Sequence, residues 1–264
     1  MGRATISRAL HFALPLLLLV VVWELAARLN LINTLLFPAP STILATYYHL
    51  LLPGDRGYSA LATHLARSLF RVASGFVLGF ALGITLGIAL GVNRTVFWFL
   101  SPILGGLMPI PSIAWTPILM IWLGLDDRTV IAVVAIATSY PILLNTMTGV
   151  RGVSRYHVWA MESMGASPAQ ILLRVIFPGA LAYILTGCKL GFASAWRSLV
   201  GAEMIAATGW GLGYMIFESR EFMLTDITYG GLAIISVIAL GIETGILNRI
   251  ERVTVGRWGM LTEA

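Results

Sequence analysis

Two cations eight residues apart, Lys189 and Arg197, stand inside an apolar stretch of this chain, and Glu203 follows them. On a helix, eight residues make a little over two turns, so the two cations share roughly one face. A face carrying an ammonium and a guanidinium attracts anions, and with Glu203 these residues would line a passage for one. The alternative is that each charge pairs with a carboxylate on a neighbouring helix or extends its head group to an interface. Glu24, Arg71 and Glu243 also fall within apolar stretches, where ionisable groups are costly and face protein or water. Glu243 is expected to be the structural partner of a basic group.

Other chemistries find no residues. Lys189 is the only lysine, and Leu190 follows it, so the phosphate-binding pattern GxxxxGK[ST] is missing and the chain has no ATP site of that kind. Neither a Ser/His/Asp arrangement nor a plausible carboxylate pair is present, and no catalytic residue is expected. His11, His49, His64 and His157 are scattered without ligand spacing, so no metal site is expected. The single cysteine, Cys188, reads as a small core residue.

The elements that must position these groups are set by hydropathy. Over 264 residues only 11% are charged and the mean hydropathy is +0.88, too apolar for a soluble surface. Apolar runs of about 20 residues, long enough for a roughly 30 Å hydrocarbon core, occur at 9–28, 68–91, 97–123, 129–150, 179–202 and 227–248. The expected fold is therefore an all-α integral membrane protein of six helices, a single domain over 1–264. The third run carries Pro109, Pro111 and Pro117 and should be broken. The first run has the look of a signal peptide, with Arg3 and Arg8 before it, but its length and an even span count favour a membrane helix.

With six spans both termini share a side. Arg3, Arg8, Arg249, Arg252 and Arg257 then join Arg94, Arg151, Arg155 and Arg174 on the cytoplasmic face by the positive-inside rule. The opposite loops mix Arg28, Arg56, Arg67, Arg128 and Arg220 with Asp55, Asp126, Asp127, Glu218, Glu221 and Asp226. The isoelectric point near 9.7 is thus a matter of topology, and no aromatic-interleaved basic patch points to nucleic acid.

The second run reads GFVLGFALGITLGIALG, with Gly75, Gly79, Gly83, Gly87 and Gly91 every fourth residue. On a helix this makes one slowly rotating stripe without side chains, against which another backbone can lie closely.

Between the fourth and fifth runs lies MESMGASPAQILLRVIFPGAL, residues 161–181. A helix from about Ser154 to Met164, a turn at Gly165, and a second helix with Ser167 as N-cap, Pro168 first and Gln170 closing a capping box make a shaped cytoplasmic protrusion over 151–178. Pro178 marks its junction with the fifth span.

This segment resembles the signature loop of ABC importer permeases, whose pattern is EAA, three residues, Gly, nine residues, I-x-L-P. Gly165 and Pro178 match, and Val175 and Phe177 are apolar replacements. The triplet departs: Trp159, Ala160 and Met161 keep only the central alanine. PIPSIAWTPILMIWLGL, AYILTGCKLGFASAW and LVGAEMIAATGWGLGYMI are similar to the branch serving taurine, alkanesulfonate, nitrate, bicarbonate and pyrimidine-precursor uptake. The resemblance runs from FPAPSTIL (37–44) to the last span.

It implies a type I importer (MetI-like) permease fold in the bacterial inner membrane, in which Trp159, Ala160, Met161, Gly165, Ala166, Ser167, Val175 and Pro178 form a coupling helix that docks on an ATPase subunit. It further implies a homodimer, a pair of ATPase subunits that carry the ATP and Mg, and a periplasmic binding protein meeting FPAPSTILATYYHLLL and the loop from Ala206 to Thr225. Taurine or another sulfonate is the leading solute; nitrate, bicarbonate, a pyrimidine precursor or an aromatic carboxylate fits the same scaffold. The rival of another class is a transporter or channel working without ATP, which would show inverted repeats; none is evident.

Overall fold

The computed structural model describes residues 2–51, 56–247 and 249, and among these there is no β-strand. Eleven α-helices follow in chain order: α1 Gly2–Arg28, α2 Pro40–Leu51, α3 Arg56–Val92, α4 Arg94–Leu107, α5 Thr116–Leu123, α6 Asp127–Gly152, α7 Arg155–Ser163, α8 Pro168–Ile171, α9 Phe177–Ala206, α10 Leu212–Glu221 and α11 Thr225–Gly241. One 3-10 turn, Ser112–Trp115, precedes α5, and π-helical turns occupy Leu172–Ile176 and Ile242–Leu247. The side chains of Arg3, Arg8, His11, His49, Asp55, Arg56, Arg252 and Arg257 lie outside the described residues.

Among the described residues, four helical stretches are long and apolar enough to cross a membrane: Leu61–Val92, Asp127–Gly152, Pro168–Ala206 and Thr225–Gly245. The expected third span is the broken pair Arg94–Leu107 and Ser112–Leu123, bent by 89°. Pro109 and Pro111 lie in the break; proline disfavours helical geometry in the residue before it and donates no hydrogen bond. The expected first span lies on α1, a continuous 27-residue helix whose side chains are described only from Leu14 onward.

The chain divides into two compact units, residues 66–214 with 236–264, and residues 1–65 with 215–235. In the first, the glycine stripe of α3 lies against α6 with a constant offset. A Cβ added at Gly75, Gly79, Gly83, Gly87 or Gly91 would collide with Val134, Thr138, Ile142, Thr146 or Val150 respectively. Each partner is the residue 59 positions on, so α3 and α6 run parallel. Two full spans that run parallel need an odd number of crossings between them, so α4 and α5 make one complete crossing and not a re-entrant hairpin. The stripe is thus a packing surface, and its partner is a helix of the same chain.

α9 packs on α6 beside α3: Gly149 meets Ala180 and Tyr183, Gly187 meets Asn145 and Ile142, and Gly191 meets Ile142 and Thr138. These pairings run in opposite senses, so α9 is antiparallel to α6. Ile142, Val150, Ala180, Ile184 and Cys188 form a buried cluster between them, with Cys188 the core residue expected.

In the second unit, Glu24 near the end of α1 accepts from Arg28 Nε at 2.6 Å and from the Ser41 backbone N–H and hydroxyl at 3.0 and 2.7 Å. Its charge is spent on tying α1 to the start of α2. Tyr47 of α2 is buried and donates its hydroxyl to the Ile227 carbonyl at 2.8 Å, while Thr46 donates to Asp226 at 2.7 Å. Burial raises the Tyr47 phenol above its ordinary pKa, with the Asp226 charge adding to the effect, so the hydroxyl remains a neutral donor. Within the segment read as FPAPSTILATYYHLLL, α2 is therefore docked by these bonds and leaves Leu44 and Tyr48 exposed.

The stripe makes a direct prediction. At Gly83 an added Cβ would lie 2.8 Å from Ile142 Cβ and 2.9 Å from the Ser139 carbonyl oxygen, and backbone cannot move aside as a flexible side chain would. Gly83→Leu should cost at least the roughly 1–3 kcal/mol typical of overpacking and should lower the melting temperature and monodisperse yield in detergent. Gly105→Ala, where the Cβ meets nothing within 4 Å, should leave both unchanged. A wild-type melting curve for Gly83→Leu would contradict the close approach.

Candidate functional site

The expected protrusion is built by two matched helix caps. At the end of α7, Gly165 takes φ +77, its N–H bonds the Glu162 carbonyl at 2.9 Å, and the Ala166 N–H bonds the Met161 carbonyl at 3.0 Å. That is the Schellman pair, which needs a left-handed residue between helix and exit. The next helix opens at once: Ser167 N–H bonds Gln170 Oε1 at 2.8 Å and the Gln170 N–H bonds Ser167 Oγ at 3.4 Å, the reciprocal capping box, with Pro168 first in the helix. The turn from Met164 to Ser167 is thus specified at both ends.

Its surface is open. Trp159 is 52% exposed, Tyr156 77% and Met164 81%, and the Trp159 and Tyr156 rings meet edge to face at 5.7 Å. Ala160, Gly165 and Ser167 are also exposed, whereas Met161, Ala166, Val175 and Pro178 are half-buried. Beside α7 a cavity of about 670 Å³ is lined by Arg94, Phe97 and Trp98 of α4, Arg151 at the end of α6, and Arg155 and Trp159. Arg151 is held there, donating to the Leu90 carbonyl at 2.9 Å with its guanidinium 3.8 Å from the centre of the Phe97 ring.

Pro178 does not mark a junction. Helix runs unbroken from Pro168 to Ala206, and Leu172–Ile176 widen into a π turn in which the Phe177 N–H reaches back five residues to the Leu172 carbonyl. Proline lacks an N–H and clashes with the carbonyl one turn earlier; a wider turn accommodates it without ending the helix. The second helix of the protrusion, α8, and the fifth span are therefore one continuous helix.

The ionisable groups of the spans separate into two kinds. Arg71, 1% exposed, donates from Nε to Asp127 at 2.8 Å, and from Nη1 to Glu203 at 2.8 Å and to the Trp210 carbonyl at 2.7 Å. Glu203, 0% exposed, also accepts from the Ser68 hydroxyl at 2.8 Å and the Gly213 N–H at 2.9 Å. Arg67 reaches Asp127 at 3.2 Å. Two arginines thus face two carboxylates, and each group at the centre is hydrogen-bonded, as a low-dielectric site requires. Gly211 passes so close, at φ +143, that a Cβ there would lie 2.8 Å from Glu203 Oε1.

Glu203 is therefore not set on one open face with the two cations. Arg197 is exposed and lines a 300 Å³ pocket with Ser112, Ser194 and Ser198; Lys189 is half-buried and is not among that pocket's lining residues. Glu243 is exposed on its π turn, and the described ion pairs do not include it. The stretch from Ala206 to Thr225, read as a loop, contains α10, with Leu212, Met215 and Ile216 buried. Sequence reasoning missed Asp127, Ser68 and the Gly213 N–H as partners of Arg71 and Glu203. The available signal was topological, since six alternating spans put Arg71, Asp127 and Glu203 at the same end.

Comparison with known proteins follows the same lines. Residues 79–250 match the family of binding-protein-dependent transport system inner membrane components. The taurine transport system permease protein TauC of Escherichia coli K12 is 38% identical over 255 residues, covering 96% of this chain and 92% of its own. The nitrate import permease protein NrtB of Synechocystis is 31% identical over 242 residues, covering 90% and 84%. A chain of the MetNI methionine ABC transporter in an inward-facing conformation superposes with TM-score 0.65 over 74% of this chain and 96% of that one, at 18% identity, a likeness of fold.

The buried network predicts a large stability effect. Removing one partner of a buried pair leaves the other charge uncompensated, at a cost of about 3–5 kcal/mol. Arg71→Ala and Glu203→Ala should each lower the melting temperature sharply in purified protein, and the double variant should cost clearly less than the two single losses added together. Strict additivity would mean that the two do not act as a unit.

Proposed function

The chain belongs to the binding-protein-dependent transport system inner membrane components, the permease subunits of ABC transporters, and on that premise we propose that it carries a small anionic solute, taurine or another sulfonate, into the cytoplasm by alternating access. In this reading the energy comes from two ATPase subunits that bind ATP and Mg, a periplasmic binding protein delivers the solute, and two copies of the chain enclose the path. Both termini lie in the cytoplasm, the basic loops marking that side.

The observation that carries the coupling assignment is the exposed α7–Gly165–α8 surface at the end of an unbroken 39-residue rod. Motion applied at Trp159, Ala160 and Met161 passes through a turn fixed by two caps into α8 and so into α9, which packs along α6. A soft loop would absorb the displacement; this one transmits it. Trp159 takes the place of the acidic residue of the family pattern and offers an aromatic anchor for the ATPase groove. The solute assignment rests on what the similar permeases are named for and on Arg197, the exposed cation of α9.

Gly165→Asp tests the coupling. Asp tolerates positive φ better than most residues, so the variant should reach the membrane at normal abundance, but its carboxylate alters the surface offered to the ATPase. Uptake of radiolabelled taurine into cells expressing the complete transporter should fall at least tenfold, while ATP hydrolysis by the purified complex becomes independent of binding protein. Undiminished uptake would remove the coupling role from this turn.

A further inference from the structure

The break in the third span and the exposed arginine of α9 meet at one place, the 300 Å³ pocket lined by Pro111, Ser112, Ile113, Ser194, Arg197 and Ser198. Each imposes the same demand. Backbone outside a regular helix is tolerated at membrane depth only where protein covers it or water reaches it. An ionised guanidinium within a span must likewise face protein or a wet cavity. Arg197 lies nine residues before the end of α9, about 14 Å at 1.5 Å per residue, and among the described residues no carboxylate pairs with it. Arg71, by contrast, is held by two.

The donors around Arg197 have a definite count. Ser112 Oγ and Ser198 Oγ are 2.6 Å apart, so one hydroxyl donates to the other and one hydrogen of the pair is left for a third acceptor. Ser194, three residues before Arg197 on the same helix, adds another hydroxyl. A guanidinium presents a planar fork that holds two oxygens of an oxyanion at once, and the hydroxyls lining the same pocket add further donors. A carboxylate has both of its oxygens engaged by the fork, whereas a sulfonate keeps a third oxygen free for the serines.

We propose that this pocket is an oxyanion site in the permease itself, with Arg197 as the fork and Ser112, Ser194 and Ser198 as the hydroxyl donors, matched to a sulfonate. The proposal rests on the importer reading above and adds that the permease, and not the binding protein alone, recognises the solute's charged group.

A test that does not depend on transport uses thiol chemistry. Ser194→Cys is placed in a Cys188→Ser background, in the complete complex with its ATPase in nanodiscs, and labelled with the anionic sulfonatoethyl or the cationic trimethylammonioethyl methanethiosulfonate. Relative to their rates with free cysteine, the anionic reagent should be favoured at least tenfold. Millimolar taurine should slow it, adding Arg197→Ala should abolish the preference, and Arg197→Lys should keep part of it. A thiol unreactive to both reagents, or a charge preference that Arg197→Ala leaves unmoved, would overturn the site. Dissociation of the complex by Arg197→Ala, seen by size exclusion, would also overturn it by making Arg197 a subunit contact. Binding-protein-stimulated ATP hydrolysis on the unsubstituted complex reads the importer assignment separately: if it is present while the thiol shows no charge selectivity, only the site fails.

Discussion

The contact of two helix backbones through five glycines is the constraint from which the rest of this structure follows. Apolar side chains in lipid gain little by meeting each other instead of acyl chains, so helix association rests on close packing. The stripe on α3 permits that approach against α6 in one register, because each glycine receives the branched side chain of one Val, Thr or Ile. The register makes the two helices parallel. Parallel helices require the broken α4–α5 segment to cross between them, and that crossing sets the side on which α6 ends and the α7–Gly165–α8 protrusion begins. A local run of small residues thereby fixes a global topology.

Charge is handled differently at the two ends of function. Arg71 and Glu203 are sealed in a neutral network that joins α3, α6 and α9 with the backbone of residues 210–213. Such a network contributes geometry more than net stability, since desolvation offsets much of the Coulomb attraction. Arg197, six residues from Glu203 on the same helix, has no carboxylate partner among the described residues and lines a pocket with Ser112, Ser194 and Ser198 at the break in the third span. The same helix therefore carries one carboxylate fixed by the buried Arg71 and one exposed arginine, the cation on which the proposed oxyanion site rests.

The legible parts of the fold were those written in local chemistry. Ser167, Pro168 and Gln170 announce a capped helix, Gly165 a left-handed turn, the four-residue glycine interval a packing face, and the cluster of Pro109 and Pro111 a broken span; each is decided within about five residues. What escaped was set at longer range. Arg71 finds Glu203 and Asp127 only because three helices converge, and their distances in sequence carry no local mark. Pro178 misled because its effect depends on the turn before it, where a π turn absorbs the missing donor. The stretch after Ala206, expected as a loop, holds a helix that starts at Leu212, while Gly211 and Gly213 bring backbone against Glu203.

The central claim is that this chain is the membrane half of an ATP-driven importer. The most direct measurement is ATP hydrolysis by the permease copurified with its ATPase in nanodiscs, with binding protein added empty and loaded. The account predicts stimulation by the loaded binding protein, strongest with taurine or another sulfonate. Solute movement through the chain with no ATPase subunit present would contradict it.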